Sequence, residues 1–152
     1  ESIKFLEHAK VDFIVFPCNT LNYFLPYMRK ISKVPIISII EETCKYVESL
    51  KISEVVLFAS QTTVKEKLYE AHLEKVKVIN PENQVRITTL IDNALKGNGN
   101  EKELLDAIDQ EAKQKYVIFG CTDISVVGEN IKRKNVIDSL KILSKVVVRL
   151  AK

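Results

Sequence analysis

Short, unbroken apolar runs alternate with amphipathic segments along most of this 152-residue chain. Each run is rich in β-branched and aromatic residues, which is typical of strands buried on both faces of a parallel sheet. The runs are Val11–Phe16, Pro35–Ile40, Val55–Ala59, Val76–Ile79 and Tyr116–Phe119. The segments with helical periodicity are 21–32, 41–51, 63–75, 84–96, 101–114 and 136–151, the last with Asp138 or Ser139 as its N-cap. This alternation predicts an α/β fold with parallel sheets flanked by helices.

Composition and charge exclude several classes of function. The chain is 46% hydrophobic and 28% charged, which is typical of a folded protein with a real core. The net charge is only +3 and the basic residues are scattered, so nothing favours a nucleic-acid or membrane-surface partner. No apolar run approaches the roughly 18 residues of a membrane span. Three widely spaced cysteines and two histidines suit neither a disulfide framework nor a metal site, and we expect a cytoplasmic protein with reduced thiols.

One local pattern occurs three times at the end of a predicted strand. Residues 15–20 and 118–123 each read as buried strand, small hinge residue, cysteine and short polar residues. Residues 57–63 repeat the pattern with Ser60 in the place of the cysteine. In a parallel α/β sheet all three tips are expected at the carboxyl ends of strands, where ligands bind. The match between the two cysteine tips suggests two related half-units that face each other.

The two tip cysteines suit acid–base chemistry. A thiol just before a helix lies near unpaired backbone N–H groups, so we expect the pKa of Cys18 and Cys121 to fall below the free value of roughly 8.5. Short polar neighbours such as Asn19, Thr20 and Thr122 suit a helix cap or a carboxylate ligand. Across one cleft, one thiolate could take a proton from a carbon while the other thiol returns one to the opposite face. Such a pair inverts a stereocentre without a cofactor.

These motifs resemble a known family. Residues 17–20 (PCNT) and 120–123 (GCTD) are similar to the paired cysteine motifs of the aspartate/glutamate racemase superfamily, most of all to its cofactor-independent aspartate racemases. The similarity continues through residues 34–43, 57–69 and 136–139, in the same order along the chain. The resemblance therefore covers nearly the whole chain.

The resemblance implies two pseudo-symmetric lobes with a substrate cleft between them. It implies that Cys18 and Cys121 are the catalytic pair. The substrate-binding positions that it implies are Asn19, Thr20, Thr63, Lys96 and Thr122. Among these, Lys96 matches a mobile-loop lysine that recognises the side-chain carboxylate of aspartate. A dicarboxylic amino acid as substrate, no cofactor, no metal and a homodimer are the further implications.

The resemblance also predicts how the chain is divided. Residues 1–40 plus 135–152 are expected to form a partial first lobe, and residues 41–134 a second lobe. Aspartate racemases have a further strand, helix and strand ahead of the segment where this chain starts. We therefore expect an incomplete first lobe with an unpaired sheet edge beside Val11–Phe16.

Three positions depart from the family pattern, and they leave alternatives open. Asp123 stands where the aspartate group has Glu, Asn22 where histidine is common, and Thr62 where glycine is usual. The last change places a β-branched side chain where glycine permits close approach. Glutamate or hydantoin racemisation and maleate isomerisation are therefore alternatives. The incomplete first lobe leaves a truncated, non-catalytic binding module as a further alternative.

The remaining cysteine and the histidines point away from other chemistry. Cys44 lies in a predicted helix with no polar tip around it, so we expect it to be structural. His8 and His72 lie among charged residues and are expected at the surface. A Cys–His hydrolase is accordingly the weaker interpretation.

Overall fold

The computed structural model describes residues 1–152 as an α/β fold with two parallel sheets. The strands are β1 (Ile14–Phe16), β2 (Ile36–Ser38), β3 (Glu54–Ala59), β4 (Lys77–Ile79), β5 (Val117–Gly120) and β6 (Val136–Asp138). The helices are α1 (Ser2–His8), α2 (Leu25–Ile31), α3 (Ile39–Ser49), α4 (Gln61–Lys65), α5 (Gln84–Leu95), α6 (Glu101–Ala107), α7 (Thr122–Val127) and α8 (Ser139–Leu150). A 3-10 turn at Thr20–Phe24 precedes α2, and a π turn at Ile108–Ala112 follows α6. The predicted fold class is confirmed.

The larger sheet has the strand order β4-β3-β5-β6, with every neighbouring pair parallel. Its central strands are buried on both faces, as the unbroken apolar runs predicted. Alternate residues of β3 belong to different cores: Leu57 packs with α3 and α8, and Phe58 packs with α5 and α6. Phe58 and Phe119 are fully buried, and each contributes about 1.5–3 kcal/mol by leaving water.

The smaller sheet contains only β1 and β2, paired in parallel with Ile14 opposite Ile36. It has its own small core, in which these two residues pack with Ile3 and Leu25. Because β1 has one strand partner, its other edge carries no ladder, as expected for the edge beside Val11–Phe16.

Side-chain caps at the strand ends decide where several strands stop. Ser38 accepts a hydrogen bond from the backbone N–H of Glu41, so α3 begins directly after β2 and the predicted strand Pro35–Ile40 ends two residues early. Ser60 caps α4 in the same way after β3. Asp138 caps α8 by accepting from the backbone N–H groups of Leu140 and Lys141, which confirms one of the two predicted caps.

Two predicted helices are partly wrong. The helix expected over residues 63–75 ends at Lys65, because Lys67 adopts a left-handed φ of +50° and the chain continues in turns. The helix expected over residues 136–151 starts only at Ser139, because residues 136–138 form β6. Three strand residues are too few to interrupt a helical apolar pattern, so this strand could not be recognised from the sequence.

The predicted division into two lobes stays a prediction, but strand pairing differs from it at one place. Residues 136–138 pair with β5 in the larger sheet, although segment 135–152 was assigned to the first lobe. Helix α8 then packs against α3. Its first residue, Ser139, accepts a hydrogen bond from Asn19, which follows β1 of the smaller sheet. The longest helices have 12 residues, and none of the helices has the length and apolar character of a membrane span.

Candidate active site

The tips of β1 and β3 are joined by hydroxyl groups. The Thr20 hydroxyl, two residues after Cys18, lies 2.8 Å from the Ser60 hydroxyl and 3.3 Å from that of Thr63. Ser60 and Thr63 are 3.0 Å apart, so three hydroxyls converge at one place between the two sheets. Each hydroxyl has one hydrogen, which can rotate from a neighbour in the cluster to a carboxylate oxygen. Thr20 and Thr63 were predicted as site residues, and the structure brings them together.

The tips of β1 and β5 are joined through the carboxamide of Asn19. Its Oδ1 accepts a 2.7 Å hydrogen bond from the Tyr69 hydroxyl, and its Nδ2 donates to the Ser139 hydroxyl at 3.3 Å. Ser139 in turn donates to the carbonyl oxygen of Phe119 at 2.7 Å. Phe119 lies two residues before Cys121, so this chain of hydrogen bonds runs from one cysteine tip to the other. Sequence reasoning named Asn19 as a site residue but missed Tyr69 and Ser139.

Cys121 is half-buried at the end of β5, as the N-cap residue of α7. Burial raises the pKa of its thiol to about 11, and the negative charge of Asp123, 3.3 Å from Sγ, acts in the same direction. Backbone N–H groups at the start of α7 lower the pKa, as sequence reasoning expected, but burial outweighs them. The expected fall in the Cys121 pKa is therefore wrong. The thiol is held protonated, with its proton directed to the Asp123 carboxylate.

Cys18 is half-buried at the end of β1. Its carbonyl oxygen accepts a 2.9 Å hydrogen bond from the amide nitrogen of Asn22, whose oxygen accepts at 2.6 Å from Ser38. Asn22 was noted in the sequence only because histidine is common at that position. In the structure it ties the Cys18 tip to the end of β2.

Gly120 allows close packing beside the second thiol. A Cβ atom at this position would lie 2.8 Å from Cδ1 of Leu57 and 3.2 Å from the Tyr69 ring. Both distances are shorter than ordinary contacts between carbon atoms. The absence of a side chain therefore lets the Tyr69 ring lie against the β5 tip, where its hydroxyl reaches Asn19.

Three other residues singled out from the sequence do not take part in the hydroxyl cluster or in the hydrogen bonds of Asn19. Thr122 is half-buried as the first residue of α7, and Thr62 is exposed on α4, away from the packed side of that helix. Lys96 is exposed at the end of α5, and its side chain makes no hydrogen bond or ion pair. Its loop lies against the far end of α7, because Gly99 packs on Val127. The structure therefore does not bring Lys96 to the hydroxyl cluster.

The third cysteine and the histidines lie elsewhere, as predicted. Cys44 is 2% exposed in the core between α3 and the larger sheet, and burial raises the pKa of its thiol to about 12. His8 and His72 are both exposed.

Comparison with known proteins agrees with this fold. The family model for Asp/Glu/Hydantoin racemase matches residues 1–147, and the chain belongs to this family. Among curated proteins, the broad specificity amino-acid racemase RacX of Bacillus subtilis (strain 168) is 28% identical over 150 residues, which cover 92% of this chain and 65% of RacX. The chain thus spans less than two thirds of the length of that relative.

Solved structures show the same fold. The aspartate racemase of Picrophilus torridus superposes with a TM-score of 0.81 at 21% identity, covering 98% of this chain and 66% of that chain. An aspartate racemase homologue from Pyrococcus horikoshii OT3 superposes with a TM-score of 0.79 at 25% identity, covering 98% of this chain and 70% of that chain. The resemblance inferred from the cysteine motifs is confirmed at the level of the family.

Proposed function

We propose that this chain is a cofactor-independent amino-acid racemase in which Cys18 and Cys121 form the acid–base pair. The observation that carries the proposal is the hydrogen-bonded convergence of the two cysteine tips, through Asn19 and Ser139, beside a cluster of three hydroxyls. Membership of the Asp/Glu/Hydantoin racemase family supports it. The alternatives within the superfamily differ in substrate or in the use of one thiol as a nucleophile.

The reaction requires one proton to leave Cα and another to arrive on the opposite face. For one enantiomer, the Cys18 thiolate takes the α-proton and the S–H of Cys121 delivers its own proton to the other face. The step leaves Cys18 protonated and Cys121 as thiolate, which is the state that converts the opposite enantiomer. The raised pKa of Cys121 suits the proton-donating role, since the thiol is protonated before substrate arrives.

The substrate's α-carboxylate is proposed to lie against the hydroxyls of Thr20, Thr63 and Thr122. Hydroxyl donors satisfy carboxylate oxygens without adding a positive charge that would compete for the thiolate. Asn19 supports the thiol and has one amide hydrogen left for the substrate. The hydroxyl cluster next to Cys18 supports this assignment.

Aspartate is the proposed substrate, with Lys96 closing over the side-chain carboxylate. The Lys96 side chain is exposed and unpaired, so this role requires its loop to move. The printed name of the RacX relative favours a wider choice of amino acids. We further propose a homodimer, which sedimentation would show as twice the 17.3 kDa chain mass.

The decisive experiment is exchange of the α-proton in deuterated water, with each aspartate enantiomer and with a panel of glutamate, neutral amino acids, hydantoins and maleate. Racemisation should require both tip thiols, so Cys18→Ser and Cys121→Ser should each abolish it. Cys44→Ser is the matched control, because that thiol lies in the core. Unchanged racemisation after Cys18→Ser, or binding of aspartate with no exchange by the intact protein, would contradict the proposal.

The role of Lys96 has its own test. Lys96→Ala should raise KM for aspartate and leave KM for a neutral amino acid unchanged, because only the former has a second carboxylate. Lys102→Ala, an exposed lysine on α6, is the control. If Lys96→Ala changes KM equally for both substrates, Lys96 does not recognise the second carboxylate.

A further inference from the structure

We propose that Asn19, Tyr69 and Ser139 form a bridge that sets the position of Cys18 relative to Cys121. The three residues are called the Asn19 bridge below. Tyr69 and Ser139 do not touch the substrate in this proposal, so they are positioning residues, whereas Asn19 also contacts the substrate. The inference deepens the proposed function, because spacing between two thiols matters only if both act on one substrate.

The bridge is buried, and the donor and acceptor of each of its hydrogen bonds can be assigned consistently. Asn19 is 2% exposed, and Tyr69 and Ser139 are 0% exposed. Burial raises the pKa of Tyr69 far above its usual range, so its hydroxyl stays a donor to Asn19 Oδ1. The amide nitrogen of Asn19 must then donate to Ser139, and Ser139 to the Phe119 carbonyl oxygen. The orientation of the carboxamide is thereby determined by its partners.

The location of the bridge gives it a task that strand pairing cannot perform. Cys18 follows the smaller sheet and Cys121 follows the larger one, and no backbone ladder joins the two sheets. The Asn19 bridge crosses between them, starting one residue after Cys18 and ending two residues before Cys121. The Tyr69 ring also lies against Gly120, immediately before Cys121. One end of the bridge is therefore next to Cys18 in the chain, and the other end lies two residues before Cys121.

Its removal should loosen the cysteine tips without unfolding the chain. Tyr69→Phe keeps the ring in its packed place but leaves the Asn19 oxygen buried without a donor. A buried acceptor that loses its donor carries the full cost of desolvation, so the tip is expected to shift toward water. A separate hydrogen bond, from Thr20 at the β1 tip to Ser60 at the β3 tip, limits the opening at Cys18 to a local one.

The first test is alkylation by iodoacetamide, with each cysteine resolved by mass spectrometry. Tyr69→Phe and Ser139→Ala should each speed alkylation of Cys18 by at least about fivefold, the factor that corresponds to about 1 kcal/mol of lost hydrogen bonding. Cys44 is an internal reference, because this thiol is buried in the core and its reaction reports on opening of that core. An unchanged rate at Cys18, or an equal rise at Cys18 and Cys44, would overturn the proposal.

Two control variants separate position from stability. Tyr46→Phe makes the same chemical change on an exposed face of α3 and should leave all three rates unchanged. Ile87→Val destabilises the core around Phe58, which does not contain Tyr69 or Cys44. It should not raise the alkylation rate of Cys18 more than that of Cys44. This alkylation test does not depend on enzymatic activity, so it decides on the bridge even if the unaltered chain shows no exchange.

The second test measures, in deuterated water, the ratio of the product with inverted configuration to the deuterated product with retained configuration. If the bridge spaces the thiols, Tyr69→Phe should slow inversion at least about fivefold more than it slows exchange with retention, because retention needs only one thiol. A loss of folded protein would slow both by the same factor. A ratio equal to that of the unaltered chain would show that the bridge acts on stability alone, whereas absence of all exchange in the unaltered chain would instead contradict the proposed function.

Discussion

The protonation of Cys121 offers the sharpest test of the site's electrostatics. Its pKa is raised from 9.0 to about 11, a difference that corresponds to about 2.7 kcal/mol between the two protonation states. At pH 8 the thiolate fraction is then about 0.1%, roughly 100-fold below that of a thiol with a pKa of 9.0. Because the thiolate is the reactive form, alkylation of Cys121 should be slower by about the same factor.

The assay is the rate of iodoacetamide modification at Cys121 between pH 7 and 11, with each cysteine resolved by mass spectrometry. The rate should keep rising through pH 10. In Asp123→Asn the midpoint should fall, because the carboxylate charge and the thiol's hydrogen bond to it no longer favour the protonated form. It should remain above 9.0, since burial is the largest cause of the shift and is unchanged. Asp106→Asn, at an exposed position on α6, is the matched control.

Two results would refute this reasoning. A midpoint at or below 8.5 in the unaltered chain would mean that the N-terminus of α7 dominates the Cys121 thiol, as the sequence alone suggested. A midpoint that rises in Asp123→Asn would mean that the carboxylate stabilises the thiolate through another group. The first outcome would remove the reason for assigning Cys121 the proton-donating role, and the second would remove the role assigned to Asp123.

Three further changes test the packing around the site. Gly120→Ala should lower the free energy of unfolding by about 1–3 kcal/mol in urea titrations, because its Cβ would crowd Leu57 and Tyr69; an unchanged midpoint would contradict the close packing. The raised pKa of Cys44 stabilises the fold below pH 9.0, and this contribution is lost as pH rises towards about 12. Cys44→Ala should therefore lose less stability over that range than the unaltered chain, by up to roughly 4 kcal/mol, and parallel pH profiles would exclude the effect. Asp138→Ala should cost about 0.5–2 kcal/mol by thermal unfolding, because α8 loses its cap, and a smaller loss would show that water replaces it.

Much of the fold, and the strand-end positions of the candidate site residues, could be predicted from local pattern. Apolar runs such as Val55–Ala59 predict buried parallel strands because burial on both faces leaves no room for polar alternation. Cys18 and Cys121 were identifiable because each follows such a run with the same short polar neighbours. The strand β6 could not be predicted, since its three residues continue the apolar pattern of α8.

The sequence by itself determined which residues stand at strand ends, because strand and helix periodicities depend on near neighbours along the chain. Only the tertiary structure decided what those residues do to one another. The Asn19 partners, Tyr69 and Ser139, are separated from it by 50 and 120 positions in the chain. The pKa of Cys121 likewise depends on how much protein surrounds its sulfur, which helix position does not reveal. The sequence therefore predicts which residues stand at strand ends. Burial and long-range hydrogen bonds, in contrast, exist only after the two sheets have packed.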